Sequence, residues 1–385
     1  MRISQLRLLH FRIYQQATVD LLPGINLLLG ENGSGKTSLL EAVATVALTR
    51  SPRTGALGEC ATFGASHMGI SVTVQDGQRS SVLEYRSALQ PEGNRWTRTL
   101  KEDGTPTVAR RVLGRLGVVI FWPDDLSLIK GGPEPRRRML DVVLSQLSPA
   151  YADAAVKYRR VVEQRNATLR RIRDGADARE ILEQWDLALV RHGAVVIRHR
   201  REYLNRSQTT VAEAVRGIGE GGELGIQYRP GVRGELFEAG AEEAALSVAL
   251  RQASREEVAR GQSLVGPHRD DFEISLAGQP ARQFASQGQQ RSLVLALKVA
   301  EVRSHIETSG SRPVVMLDDV LSELDQRHRL GLIARLGTDL QVEQTLITAT
   351  EDHGIGSEVE VAQVLQVESG VMRQLTTREE QLRKG

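Results

Sequence analysis

The stretch that most constrains what this chain can fold into is "GENGSGKTSLLEA", from Gly30 to Ala42. Gly30, Gly35, Lys36 and Thr37 fit the spacing G-x-x-x-x-G-K-[ST] of a loop that cradles the phosphates of a nucleoside triphosphate. The glycines let backbone N–H groups turn inward where a Cβ would stand in the way. Lys36 reaches the β- and γ-phosphates as a point charge, and Thr37 offers its hydroxyl to Mg²⁺. The preceding "INLLL" reads as a buried strand. The following "TSLLEAVATVAL" reads as a helix whose positive N-terminal end faces the anion. A chance match in a glycine-rich loop is the competing reading, and the strand–loop–helix order argues against it. The expected nucleotide contacts are Gly30, Glu31, Asn32, Gly33, Ser34, Gly35, Lys36, Thr37 and Ser38. The loop alone does not separate kinases, GTPases, helicases and ATP-driven clamps.

A chain of 385 residues, 40% hydrophobic and 25% charged, has room for two or three structural units. With a net charge of +2, any nucleic-acid surface must be local. Arg greatly outnumbers Lys, which suits phosphate contacts or reflects genomic composition. The single cysteine, Cys60, excludes an intramolecular disulfide and a cysteine-based metal cluster, and fits a reducing, cytoplasmic compartment. "MRISQLRLLHFRIYQQ" lacks the continuous apolar core of a signal peptide, and no run is long enough to span a bilayer.

Up to about Lys130 the pattern is of strands around one helix. "GISVTVQDGQRSSVLEYRSAL" holds two strand-like runs about Asp76-Gly77, a hairpin signal, and "GVVIF" is a short apolar strand. From about Arg136 the period becomes helical. Tyr151, Ala155, Tyr158, Val162, Leu169 and Ile172 share one helical face. "DGAD" from Asp174 interrupts it, and a second long helix follows, apolar on much of its circumference (Trp185, Leu187, Leu189, Val190, Val195 to Ile197). This predicts a compact arm of antiparallel helices. The helical signal ends in the glycines near "GIGEGGELGIQYRPG". Then "FEISLAG" reads as a strand, "GQQRSLVLALKVAEVRSHIE" as a helix, and "PVVMLDD" and "EQTLITAT" as buried strands.

Three later motifs narrow the reading. In "VVMLDDVLSELD" an apolar strand ends on Asp318, which can hold the Mg²⁺ shell beside Thr37. Asp319 follows, positioned to orient or activate a water; a strand end carrying two solvated aspartates is the alternative. In "FASQGQQRS", Ser286, Gln287, Gly288 and Gln289 open a long helix and offer an anion site, or simply cap it. Ser322 and Asp325 form S-x-x-D after the acidic strand.

Phosphate loop, Ser-x-Gly-Gln helix start, Asp-tipped strand and S-x-x-D together resemble the ABC-type ATPase head. In that family two heads sandwich two ATPs, the phosphate loop of one facing the signature helix of the other. More narrowly, "HFRIY", "GENGSGKTSLLEA", "FWPDDLSLIKGGPEPRRRMLD", "GPHRDDFEISL" and "SQGQQRSLVLALKVAE" resemble the RecF family, DNA replication and repair ATPases related to the structural-maintenance-of-chromosomes and Rad50 heads. The resemblance runs from about Leu8 to about Thr350, and "GPHRDDFEISL" is its most specific stretch, one that generic heads lack.

The resemblance implies an α/β fold: a phosphate-loop lobe with a mixed sheet plus an inserted helical arm. It sets residues 1–130 as the N-terminal part of the ATPase lobe, 131–220 as the helical arm, and 221–385 as the C-terminal part with signature, acidic strand and S-x-x-D loop. It implies ATP and Mg²⁺ as ligands, an ATP-dependent homodimer, double-stranded or gapped DNA, and RecR/RecO-type partners that load recombinase. Lys36 and Asp319 become the catalytic residues, with Ser286 to Gln289 acting on the nucleotide of the opposite subunit. In related heads the positions of Arg12 and Asn32 approach the phosphates; a surface arginine is the alternative for Arg12.

Two departures imply slow hydrolysis. Asp319 stands where a glutamate is usual, and Thr350 stands where a switch histidine is expected, although His353 is close. No glutamine of the usual metal-contacting loop is evident. Asp124 or Asp125 stands in its region, or caps a helix after Pro123. "GPHRDD" is either a site or a structural polar cluster.

The arm carries "KYRRVVEQRNATLRRIR" and "VIRHRREYLNR", with Arg159, Arg160, Arg170, Arg171 and Arg173 as candidates for DNA phosphates. A solvated basic face is the alternative. With few aromatics to stack bases, backbone binding is expected. Two other readings remain open: a phosphate-loop kinase, which needs an acceptor pocket and no signature helix, and a structural head joining long coiled coils, which needs sustained heptads.

Overall fold

The computed structural model describes residues 1–92, 95–217, 222–232, 240–324, 326–351 and 359–375. Two compact units emerge: Met1–Asp124 with Lys298–Gly385, and Asp125–Leu297.

Among the described residues the first unit holds two six-stranded sheets. One is antiparallel and ordered β2-β1-β4-β5-β6-β7. Its strands are β1 (Arg2–Phe11), β2 (Tyr14–Asp20), β4 (His67–Asp76), β5 (Arg79–Gln90), β6 (Arg95–Glu102) and β7 (Thr105–Thr107). Strand β4 alternates as a half-buried strand must, with Met68, Ile70, Val72 and Val74 inward. The β4–β5 register closes on Asp76 opposite Arg79, so Gly77 and Gln78 make the turn, as the Asp-Gly signal predicts.

The other sheet is ordered β15-β14-β3-β13-β12-β8. It is built from β3 (Gly24–Leu29), β8 (Val118–Phe121), β12 (Val314–Asp318), β13 (Gln344–Ala349), β14 (Val361–Glu368) and β15 (Val371–Gln374). All its pairings are parallel except β14–β15. Buried parallel strands have no water-facing side, which is why "VVIF" and "VVML" are apolar throughout. Helix α1 (Lys36–Ala47) touches β1, β4 and β5 of one sheet and β12 and β13 of the other. Buried on every side, it is apolar nearly all round rather than striped. Gln344 ties the sheets: it accepts from the Ile3 amide at 2.7 Å and donates to the Ile3 and Leu22 carbonyls.

In the second unit, α2 (Pro133–Leu147), α3 (Pro149–Arg173), α4 (Arg179–Gly217) and α5 (Glu242–Arg260) accompany a small sheet ordered β11-β10-β9. That sheet comprises β9 (Leu224–Arg229), β10 (Asp271–Leu276) and β11 (Gln279–Pro280). Side-chain bonds from Arg165 to Asp186, Arg200 to Tyr151 and Ser148 to His199 make α3 and α4 antiparallel. The interrupted helical arm is therefore present. The last long helix, α6 (Gln287–Ser309), begins in this unit.

The unit boundaries differ from those expected at 130 and 220. The helical unit does not end near residue 220, because the segments after it pack back on the arm. Arg165 of α3, 1% exposed, donates to Asp186, to Ser263 and to the buried Glu257 of α5. Arg200 of α4 donates to Asp141 and to Asp270, and Asp270 also accepts from Tyr228 and from the Gly231 amide at 2.7 Å.

"GPHRDD" lies at the centre of that network. His268 bonds Tyr158 and the Ser263 carbonyl, and Asp271 accepts from both ends of the Arg136 guanidinium. Burial lowers the His268 imidazole's pKa. Of the two readings of this stretch, the geometry is that of a structural polar cluster. Among the described residues no helix is long and apolar enough to cross a membrane.

Candidate functional site

The phosphate loop joins β3 to α1. Gly33 and Gly35 take left-handed backbone angles, φ 82° and 117°, which a side chain would strain. Gly35 is the N-cap of α1 and no side chain caps this end. Its first N–H groups, which have no helical acceptor, remain for an anion. Glu31, Asn32 and Gly33 are exposed, Ser38 is half-buried, and the Ser34 hydroxyl is buried without a partner among the described residues. Lys36, 7% exposed, donates to the Gly30 and Glu31 carbonyls at 2.5 and 2.8 Å. Burial lowers its pKa, and Asp319 and Asp318 oppose that shift.

Across 281 residues of chain, the Thr37 hydroxyl donates to Asp318 Oδ1 at 2.9 Å. Thr348, at the end of β13, donates to the same oxygen at 2.9 Å. Burial raises the Asp318 pKa; the two hydroxyls and nearby Arg53 pull it back. Asp319 sits at φ 53°, a left-handed angle that Asp tolerates better than most residues. Its amide donates to Thr348 Oγ1 at 3.0 Å, its carbonyl accepts from Ser322, and its buried Oδ1 has no partner among the described residues. These features fit a magnesium-bound triphosphate: an uncapped helix end, a lysine resting on carbonyls, an orphaned hydroxyl and an orphaned carboxylate oxygen. Magnesium keeps several waters and needs only one or two protein ligands besides phosphate, so Thr37 and Asp318 suffice. Among the described residues no cluster of three or more His, Cys, Asp or Glu could hold a metal ion.

Arg12 is not a free surface arginine. Its guanidinium grips Glu41 of α1 at 3.0 and 2.6 Å and donates to the Glu59 carbonyl. Glu41 is 0% exposed and also accepts from Ser51 and Arg53, at 2.7 and 3.2 Å. Sequence reasoning missed Glu41, Arg53 and Thr348. Of these, Thr348 carried a signal, as the polar residue near the tip of an apolar strand.

Asp124 and Asp125 lie in one 3-10 turn, Pro123–Leu126, after β8, the strand that pairs with β12. Thr350 is half-buried beyond β13. His353 and Asp325 lie outside the described residues.

In the second unit, Ser286 heads α6 in a reciprocal cap. Its hydroxyl accepts from the Gln289 amide at 3.2 Å and its amide donates to Gln289 Oε1 at 3.0 Å. Ser286, Gln287 and Gly288 are exposed. Arg159, Arg160, Arg170, Arg171 and Arg173 are all exposed on α3, and Arg173 pairs with Asp174 at 3.0 Å. The second basic stretch is largely turned inward: Arg198 and Arg201 face the buried Glu242, and Arg200 lies in the network around Asp270.

Comparison with known proteins gives one consistent picture. The AAA domain family profile matches residues 5–110. The DNA replication and repair protein RecF of Moorella thermoacetica is 38% identical over 354 residues, covering 91% of this chain and 90% of that protein. The RecF of Heliobacterium modesticaldum is 36% identical over 370 residues, covering 93% and 95%. Among solved structures, the recombination mediator protein RecF-ATP of the RecFOR pathway superposes with TM-score 0.87 at 27% identity, covering 97% of each chain. An Smc head bound to the C-winged helix domain of ScpA shares the fold, with TM-score 0.55 at 15% identity over 99% of this chain and all of that one.

Proposed function

This chain belongs to the RecF family of ABC-type DNA replication and repair ATPases, and we propose that it is an ATP-gated clamp on DNA. ATP with Mg²⁺ bridges two copies, the phosphate loop of each meeting Ser286 to Gln289 of the other. The observation that carries this is the Thr37–Asp318 contact, which closes loop and acidic strand into one metal-ready pair. The exposed, capped start of α6 supports the second half of the sandwich. When bound, the metal neutralises phosphate charge. Lys36 leaves its two carbonyls for the phosphates, Ser34 offers its hydroxyl, and Asp319 orients the attacking water. The shorter reach of Asp319 supports slow hydrolysis. Arg12 can meet a phosphate while it holds Glu41, because its guanidinium carries more N–H donors than the contacts to Glu41 and Glu59 use.

DNA, duplex or gapped, lies against Arg159, Arg160, Arg170 and Arg171, and RecR/RecO-type loaders act with the closed dimer in the cytoplasm. Affinity for DNA should fall steeply with salt and vary little with sequence; a flat plot of log K against log salt contradicts the arginine surface. Sedimentation with and without ATP, Mg²⁺ and gapped DNA tests the whole scheme. The expected result is a dimer only with ATP and Mg²⁺, and a protein that stays monomeric at saturating ATP overturns it.

A further inference from the structure

Beyond the bonds within its own motif, the loop is braced from two segments outside it. On one flank stands the turn between β1 and β2. Tyr14, 0% exposed, donates its hydroxyl to the Gly35 carbonyl at 3.0 Å, a carbonyl that also accepts from the Leu39 amide of α1 at 3.0 Å. Burial pushes the pKa of that hydroxyl up, so it stays a proton donor at every ordinary pH. On the other flank stands the hairpin of β14 and β15, whose Glu368 pairs with Val371 across Ser369 and Gly370. The Gly370 amide donates to the Ser34 carbonyl at 3.0 Å. Both flanks are close-fitted. A Cβ on Gly370 would stand 2.9 Å from the Ile13 carbonyl, one on Gly35 2.8 Å from the Ile13 and Tyr14 side chains, and one on Gly30 2.2 Å from the Val367 carbonyl.

A trans peptide is planar, and its C=O and N–H point in opposite directions. Holding the Ser34 carbonyl from one side aims the Gly35 N–H to the other. Holding the Gly35 carbonyl does the same for the Lys36 N–H. Those amides stand where a phosphate-binding loop needs its donors. We propose that Tyr14 and Gly370 are positioning residues, a two-sided clamp that turns two consecutive amides of the phosphate loop toward the nucleotide. This rests on the reading of the loop as an ATP site and adds the β14–β15 hairpin, more than 300 residues further along the chain, as part of it.

Tyr14→Phe keeps the ring and removes the bond; Gly370→Ala meets the Ile13 carbonyl. Titration of wild type and both variants with ATP and with ADP tests the clamp, alongside amide hydrogen exchange of the ATP-saturated proteins. The expected result is roughly three- to tenfold weaker binding of both nucleotides, the range of one lost hydrogen bond, with faster exchange at Gly35 and Lys36. Leu100→Ala, in the buried face of β6 and away from both flanks, should lower the melting temperature without moving either reading. If wild type does not bind ATP, the site reading fails. If wild type binds and Tyr14→Phe binds within twofold of it with unchanged exchange, the clamp fails. If Leu100→Ala weakens binding as much, the effect is general loosening and the clamp again fails.

Discussion

Asp318 must be ionised to serve a metal, yet burial makes ionisation costly there. Its folded pKa is raised, so the folded chain holds the proton more tightly than the unfolded chain does. The contribution of this carboxyl to stability is therefore greatest below the ordinary carboxylate value of 3.8 and is lost as pH rises through the raised one. An asparagine escapes this cost. Its amide oxygen can still accept from Thr37 and Thr348, which both bond Oδ1. Asp318→Asn should thus melt no lower than wild type at neutral pH without nucleotide, while losing magnesium-dependent ATP binding. A drop of several degrees in the nucleotide-free melt contradicts the assignment. His305 gives the opposite slope. Burial lowers its pKa to about 4, and its Nε2 has no partner among the described residues. The unfolded chain gains this proton near pH 6.5 and the folded chain only near 4. Its contribution is present above 6.5 and lost as pH falls toward 4, up to about 3 kcal/mol. Melting curves of wild type and His305→Gln across that window should diverge accordingly, and parallel curves count against it.

At the scale of elements, the start of α6 serves two masters, and one substitution separates them. Ser286 caps its helix whether or not it meets a phosphate. Aspartate is as good an N-cap as serine, whereas alanine forfeits about 1 kcal/mol. Ser286→Asp should therefore melt like wild type yet fail to dimerise with ATP, since its carboxylate would face the phosphates of the other copy. Ser286→Ala should melt lower and dimerise weakly. A Ser286→Asp protein that dimerises normally leaves Ser286 a cap and nothing more. The same scale decides what was legible in sequence. The phosphate loop and Asp318 could be read because each is a local pattern at a strand end. Helices α3 and α4 could be read because their apolar faces keep a helical period. Helix α5 could not, because its buried positions include Glu242 and Glu257, which serve as ion partners and break the apolar stripe. Strand β14 was obscured similarly, because Gln363 and Gln366 take buried positions in it, and β15 is short and largely exposed. Glu41 left no trace either: its arginines come from two different loops, 29 residues before and 12 after, with no period to detect.

For the whole molecule the question is whether closure and hydrolysis can be separated, and Asp319 is where they part. Its backbone is held independently of its charge: the amide bonds Thr348 and the carbonyl accepts from Ser322. Its Oδ1 bonds nothing among the described residues, so an amide there breaks none of their contacts through that oxygen. Asparagine also tolerates the left-handed angle of φ 53° that this position demands. Asp319→Asn should therefore leave Thr37, Asp318 and the loop undisturbed, bind ATP, and close with a second copy. Without a carboxylate to orient and deprotonate water, single-turnover hydrolysis should fall roughly a hundredfold or more. The closed dimer would then outlast wild type on DNA. Lys36→Met supplies the contrast, because it removes the cation that meets the triphosphate and should lose both ATP binding and closure. Dimer lifetime on gapped DNA and single-turnover hydrolysis, measured on the same preparations, decide the matter. Wild-type hydrolysis in Asp319→Asn assigns the base elsewhere. Loss of ATP binding in the same variant moves Asp319 into the metal site beside Asp318.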